Sequence, residues 1–91
     1  MHWKLFANLA EVAGRKEVPL EETPETVREA LDALFSAHPD LEDAVCAEDG
    51  DLQDHIRLLV DGEDPFAAGE GYDEPLSGSD ELALFPPVSG G

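Results

Sequence analysis

The sequence predicts an α+β domain of two layers, with one helix packed across a mixed sheet. Three observations point there. Apolar residues alternate at period two near the N-terminus. One strong helical stripe follows, behind a capping pattern at Thr26. Two further short alternating stretches lie in the C-terminal half, each bounded by glycine, proline or acidic turn residues.

The elements follow in order. Trp3, Leu5, Ala7 and Leu9 fall on one side of Lys4, Phe6 and Asn8, which predicts a strand over 3–9 with one buried face. Ala13-Gly14-Arg15 breaks the pattern. Lys16 to Glu21 reads as a second short strand with Val18 and Leu20 on one face. Pro19 has no backbone N–H to give a ladder, so this strand belongs at a sheet edge. Strand, turn and strand suggest a hairpin.

Thr26 and Glu29 form a Thr-x-x-Glu capping box. Val27, Ala30, Leu31, Leu34 and Phe35 then make one apolar stripe, with Arg28, Glu29 and Asp32 on the wet side. His38-Pro39 ends the helix, because a residue before proline avoids helical angles. Residues 40–54 read as a loop, with Glu48-Asp49-Gly50-Asp51 as a turn. His55 to Val60 reads as a strand, with Ile56, Leu58 and Val60 facing one way, and Asp61-Gly62 is a hairpin-turn signal. Residues 63–79 hold Pro65, Gly69, Gly71, Pro75 and Gly78 and read as a long loop with room for one short turn or strand. Asp80 to Phe85 is the last strand, with Leu82 and Leu84 on one face. The expected layout is one domain over 1–86 and a flexible tail over 87–91.

Ninety-one residues and 9.8 kDa allow one domain. A chain this short buries roughly 60–65% of its unfolded surface, which leaves no room for a deep two-lobed cleft. Five basic residues stand against 22 acidic ones, for a net charge of −17. Such a chain repels nucleic-acid phosphate and anionic membrane, and neither is expected as a partner. Leu, Ile, Val and Phe make up about a quarter of the residues, above the roughly 20% below which charged chains stay unfolded. A folded domain under this charge suggests a salt-rich cytoplasm, as in a halophile, because at ~1 M salt the screening length falls to ~3 Å. An ordinary acidic protein in ordinary cytosol is the alternative. No charged-then-apolar leader opens the sequence, and no apolar run approaches the ~18 residues of a membrane span, so a soluble cytoplasmic protein is expected.

Chemistry is sparse in the body of the chain. Cys46 is the one cysteine, which excludes an intramolecular disulfide, and its apolar-leaning surroundings predict a small buried hydrophobe. His2, His38 and His55 show no metal-ligand spacing. A calcium loop needs acids at its positions 1, 3 and 5 before a glycine. Counting back from Gly50 and Gly62 puts Val45 and Arg57 at position 1, and counting back from Gly78 puts Pro75 at position 3. The acidic runs are solvated surface, and no metal, bound cofactor or catalytic residue is expected. No glycine-rich phosphate loop precedes a helix.

The end of the sequence is different. Gly90-Gly91 follows a stiff Pro86-Pro87. Proline sets the exit direction, and glycine leaves the last α-carboxylate uncrowded by a Cβ. Such a tail could thread a narrow channel in another protein.

Leu84-Phe-Pro-Pro-Val-Ser-Gly-Gly91 resembles the end of the MoaD family, the small subunits of molybdopterin synthase. Trp3-Lys-Leu-Phe-Ala, Val27-Arg-Glu-Ala-Leu-Asp-Ala-Leu34 and Val60-Asp-Gly62 resemble that family at similar spacing. The likeness is strongest to its haloarchaeal branch, the small archaeal ubiquitin-like modifiers, and it extends to ThiS. It covers nearly the whole chain. It implies a β-grasp, ubiquitin-like fold with the first and last strands parallel and central. It implies an ATP-using adenylyltransferase of the ubiquitin-activating type as partner, with ATP bound by that enzyme. The Gly91 carboxylate, behind Gly90, would be adenylylated there, then turned into a sulfur-donating thiocarboxylate or joined to target-protein lysines. A dedicated role beside a MoaE-type large subunit of molybdopterin synthase is the alternative. On either reading the chain is a carrier, expected to be monomeric. Ser89 stands where bacterial members often have alanine, and the 63–79 loop is this chain's own.

In a β-grasp sheet the polar face would carry three misplaced large apolar residues. These are Phe6 beside Lys4 and Asn8, Leu59 beside Arg57 and Asp61, and Phe85 beside Glu81. Three on one face suggest a partner-binding patch, unless the 63–79 loop covers them.

Overall fold

A computed structural model describes residues 1–21, 23–53, 56–76 and 81–86. Among these residues the sheet contains β1 (His2–Leu5), β2 (Glu17–Pro19), β3 (Arg57–Val60) and β4 (Glu81–Phe85) in the order β2-β1-β4-β3. The two central strands, β1 and β4, run parallel, with His2 opposite Glu81 and Leu5 opposite Leu84. The outer pairs, β1–β2 and β3–β4, are antiparallel. β2 is an edge strand, as Pro19 predicts.

The main helix is α2 (Val27–Ala37), which lies between β2 and β3 in sequence. The Thr26 hydroxyl caps it by accepting the Glu29 N–H at 3.3 Å. Its buried Val27, Ala30, Leu31 and Leu34 meet Trp3, Leu5, Val18, Leu58, Leu82 and Leu84 from one face of the sheet in a single core. Trp3 is fully buried, and its indole N–H donates to the Ala30 carbonyl at 3.0 Å. That bond pins α2 to a central strand.

Two expectations fail. The strand predicted to reach Leu9 stops at Leu5, Ala7 takes a positive φ of 51°, and α1 (Asn8–Ala13) follows. Leu5 and Leu9 are four residues apart, a spacing that fits both periods. Leu9 is buried from the helix, where α1 packs against α3 (Pro39–Val45). The second failure is α3 itself, in the stretch expected to be loop. Pro39 ends α2 and stands at the first position of α3, where its missing N–H costs nothing. Asp40 and Glu42 suit that N-terminal turn, and Leu41 and Val45 are buried one turn apart.

The rest differs in extent. The second strand is shorter than 16–21, and the third is described from Arg57, with His55 outside the described residues. Asp61 and Gly62 have φ of 49° and 87°, and Val60 and Glu63 exchange backbone bonds of 2.7 and 3.0 Å around them. This two-residue turn does not join neighbouring strands: it feeds a one-turn helix, α4 (Pro65–Ala68), and a 3-10 turn at Gly71–Asp73. The expected 87–91 tail lies outside the described residues.

Candidate functional site

The face of the sheet turned away from α2 is built by strict alternation. β1 and the residue after it contribute His2, Lys4 and Phe6; β4 contributes Glu81, Ala83 and Phe85; β3 contributes Arg57 and Leu59. The register places Lys4 and Leu59 on either side of Ala83, and Arg57 opposite Phe85. Phe6 follows directly on the Leu5–Leu84 pair and so meets Phe85. Their rings stack with centroids 4.3 Å apart and planes 13° from parallel.

All three residues expected to form the patch are half-buried and share this face. Phe6 and Phe85 are in direct contact, and Leu59 is the diagonal cross-strand neighbour of Phe85. Ala83 sits between them and is only 6% exposed. Alternation alone would have placed Ala83 on this face, but a small residue gives no apolar signal.

Charge gathers at the other end of the face. The Glu81 carboxylate lies 3.5 Å from His2 Nε2 and 4.0 Å from Lys4 Nζ. Such exposed pairs contribute little to stability. The Glu81 N–H donates to the Asp61 carboxylate at 2.9 Å, and the Asp61 N–H donates to the Glu81 carbonyl at 2.8 Å. The aromatic end is where β4 leaves the sheet through the half-buried Pro86. Gly90 and Gly91 lie outside the described residues.

The described part of the 63–79 segment is fastened elsewhere. Val27 N–H donates to the Glu74 carbonyl at 3.2 Å, and Leu76 N–H to the Glu25 carbonyl at 2.9 Å. The Tyr72 hydroxyl accepts the Leu52 N–H at 2.8 Å. The Arg28 guanidinium lies 4.2 Å from the Tyr72 ring centroid, and Phe66 meets that ring edge-on. These bonds tie the segment to the start of α2 and to the loop after α3.

Cys46 is half-buried against the core. Burial, then the charges of Glu42, Asp51 and Asp49, pushes its thiol up from the ordinary value. It stays protonated at neutral pH and is a poor nucleophile. Among the described residues no three His, Cys, Asp or Glu side chains come together as a metal site. No helix there is long and apolar enough to cross a membrane.

Comparison with known proteins adds to this geometry. The model of the ThiS family matches residues 3–91. The chain is 55% identical to small archaeal modifier protein 1 of Haloferax volcanii, covering 100% of both chains. A crystal structure of that Haloferax volcanii protein superposes with a TM-score of 0.85 at 52% identity, covering 100% of this chain and 98% of that one. A chain in the crystal structure of the Amycolatopsis orientalis BexX/CysO complex gives a TM-score of 0.79 at 26% identity, covering 99% and 98%. The sheet order and the helix across it are the β-grasp arrangement of these structures.

Proposed function

The chain belongs to the ThiS family, and from that premise we propose that it is a ubiquitin-like protein modifier and sulfur carrier whose acyl group is the carboxylate of Gly91. The observation that carries this reading is the placement of β4. It is a central strand, its Leu82 and Leu84 are fully buried, and it delivers Pro86 beside the Phe6–Phe85 stack. The domain therefore anchors the chain firmly just before the Pro-Pro-Val-Ser-Gly-Gly segment, next to an apolar face that a partner would grip. The full-length match to a small archaeal modifier protein supports the same reading.

The chemistry belongs to an ATP-using partner. A carboxylate oxygen of Gly91 attacks the α-phosphorus of ATP, pyrophosphate leaves, and an acyl-adenylate remains. A sulfur nucleophile then displaces AMP on the way to a thiocarboxylate. Alternatively a thiol displaces AMP to give a thioester, and a lysine amine displaces that thiol to give an isopeptide. The chain contributes the acyl group and a docking face, without a catalytic residue of its own. A Cβ at position 90 or 91 would widen the tail and restrict its angles.

The test is ATP–pyrophosphate exchange with the purified adenylating enzyme. Deleting Gly90 and Gly91 should abolish exchange while leaving the thermal melt unchanged, because terminal residues carry little stability. Gly91→Ala should impair exchange by a smaller factor. Full activity from the deletion variant would remove Gly91 as the reacting residue. Mass spectrometry of the protein from its own cells separates the downstream fates. Branched peptides that join Gly91 to a target lysine mark conjugation, and a thiocarboxylate without them marks a dedicated sulfur donor, as in molybdopterin synthase.

A further inference from the structure

Three of the five basic residues of this acidic chain, Lys4, Arg15 and Lys16, line one open groove of about 780 Å³. Its apolar wall includes Phe6, Ala7 and Ala10. Glu11 and Glu17 also border it, so the groove is weakly positive on a chain of net charge −17. The other two basic residues are engaged: Arg28 lies 3.6 Å from Asp51 and Arg57 lies 3.8 Å from Asp64. Lys4 reaches Glu81 at 4.0 Å. Arg15 and Lys16 are exposed, and among the described residues neither has a carboxylate within ion-pair distance. Among the described residues, the acidic majority leaves these two cations without an ion-pair partner.

The turn that presents them is well held. Gly14 N–H and Arg15 N–H both donate to the Ala10 carbonyl, at 2.9 and 3.0 Å. The Leu5 N–H donates to the Lys16 carbonyl at 2.8 Å. Gly14 has a φ of 79°, which closes α1 in the left-handed region. The groove is continuous with the sheet face, because Phe6 belongs to both.

We infer that this groove seats a segment of the adenylating partner in which an apolar side chain is flanked by carboxylates, and that Arg15 selects that segment. The inference rests on the adenylation reading above. The wall of Phe6, Ala7 and Ala10 suits an aliphatic or aromatic side chain. A planar guanidinium takes a carboxylate through two parallel hydrogen bonds, which an ammonium cannot match. In concentrated salt, long-range steering is screened out and pairs in contact are the ones that survive. Local geometry at Arg15 then outweighs the repulsive net charge.

The test measures exchange kinetics with the purified adenylating enzyme over a range of carrier concentrations. Arg15→Glu should raise the KM for the carrier about tenfold with kcat unchanged, as loss of an interfacial charge pair does. Arg15→Gln should show a smaller rise, and Arg15→Lys a smaller one still. Ser36→Glu combined with Ala37→Glu makes the same change in net charge at an exposed site on α2 and should behave as wild type. An unchanged KM for Arg15→Glu and Arg15→Gln, or an equal rise in the α2 control, would overturn the inference. The Gly90–Gly91 deletion separates the two levels. If it leaves exchange intact, the adenylation reading fails. If it abolishes exchange while the Arg15 variants keep the wild-type KM, the groove alone fails.

Discussion

The rings of Phe6 and Phe85, from opposite ends of the chain, stack 4.3 Å apart on the open face of the sheet. Parallel pairing of β1 with β4 puts them there, one step beyond Leu5 and Leu84. Each ring covers part of the other, which leaves a flat, half-buried apolar plate beside the exit of the chain at Pro86.

That contact gives a first prediction. A double-mutant cycle of Phe6→Ala and Phe85→Ala, read by urea denaturation, should yield a coupling of about 1 kcal/mol. Either variant should weaken binding to the adenylating partner by about 2 kcal/mol, or roughly thirtyfold. Variants that unfold, with the surviving folded protein binding normally, would place both rings in the core instead.

Trp3→Phe removes the indole donor to the Ala30 carbonyl at a fully buried site and leaves unfilled volume. Stability should drop by about 2 kcal/mol. In denaturant the midpoint should fall with the slope unchanged. No change in midpoint would mean that this bond does not hold α2 to the sheet.

Gly62→Ala isolates a backbone effect. Gly62 has a φ of 87°, and a Cβ added there meets nothing within 4 Å. The cost should therefore be conformational only, about 1 kcal/mol. Thermal melts measure it, and a neutral substitution would show that the turn at Asp61-Gly62 relaxes freely.

Alkaline stability has a worked sign. Burial, the largest cause, raises the Tyr72 phenol above its ordinary value of 10.0; the Asp51 and Cys46 charges add to this, and the Leu52 hydrogen bond and Arg28 oppose it. The folded state thus favours the neutral phenol. That contribution is complete below the ordinary value and is lost as pH rises through the folded one. The Cys46 thiol, raised from 9.0, acts in the same direction at lower pH. Urea melts from about pH 8 to about pH 11 should show falling stability. Tyr72→Phe should flatten the upper part, and Cys46→Ala the lower part. An unaltered slope in both variants would assign the loss to other groups.

Salt should stabilise the fold. A net charge of −17 implies self-repulsion that screening relieves. The melting midpoint should rise markedly from ~0.1 M to ~2 M KCl, as the screening length falls from ~10 Å to below ~3 Å. A flat midpoint would count against adaptation to a salt-rich interior.

Read alone, the residues determined what is local. The Thr26 cap, the α2 stripe and the edge position announced by Pro19 all appear as expected, because each depends on neighbours within a few residues, whereas Asp61-Gly62 turns the chain into α4 and not into the expected hairpin. The Gly90-Gly91 end is read from composition and family resemblance alone, and it lies outside the described residues. The oddity of Phe6, Leu59 and Phe85 among polar neighbours was legible, though not the stacking of Phe6 on Phe85. Tertiary structure decided the rest. Leu9 fits a strand or a helix equally well, and packing of α1 on α3 selected the helix. Acidic residues masked α3, whose buried side consists of little more than Leu41 and Val45. Adjacency of β1 and β4 entered the sequence reading through family resemblance, not periodicity, because pairing between distant segments leaves no local trace. That pairing stacks Phe6 on Phe85, and the turn after α1 gathers Arg15 and Lys16 beside Phe6. A surface assembled from three strands and a turn exists only once the chain has closed on itself.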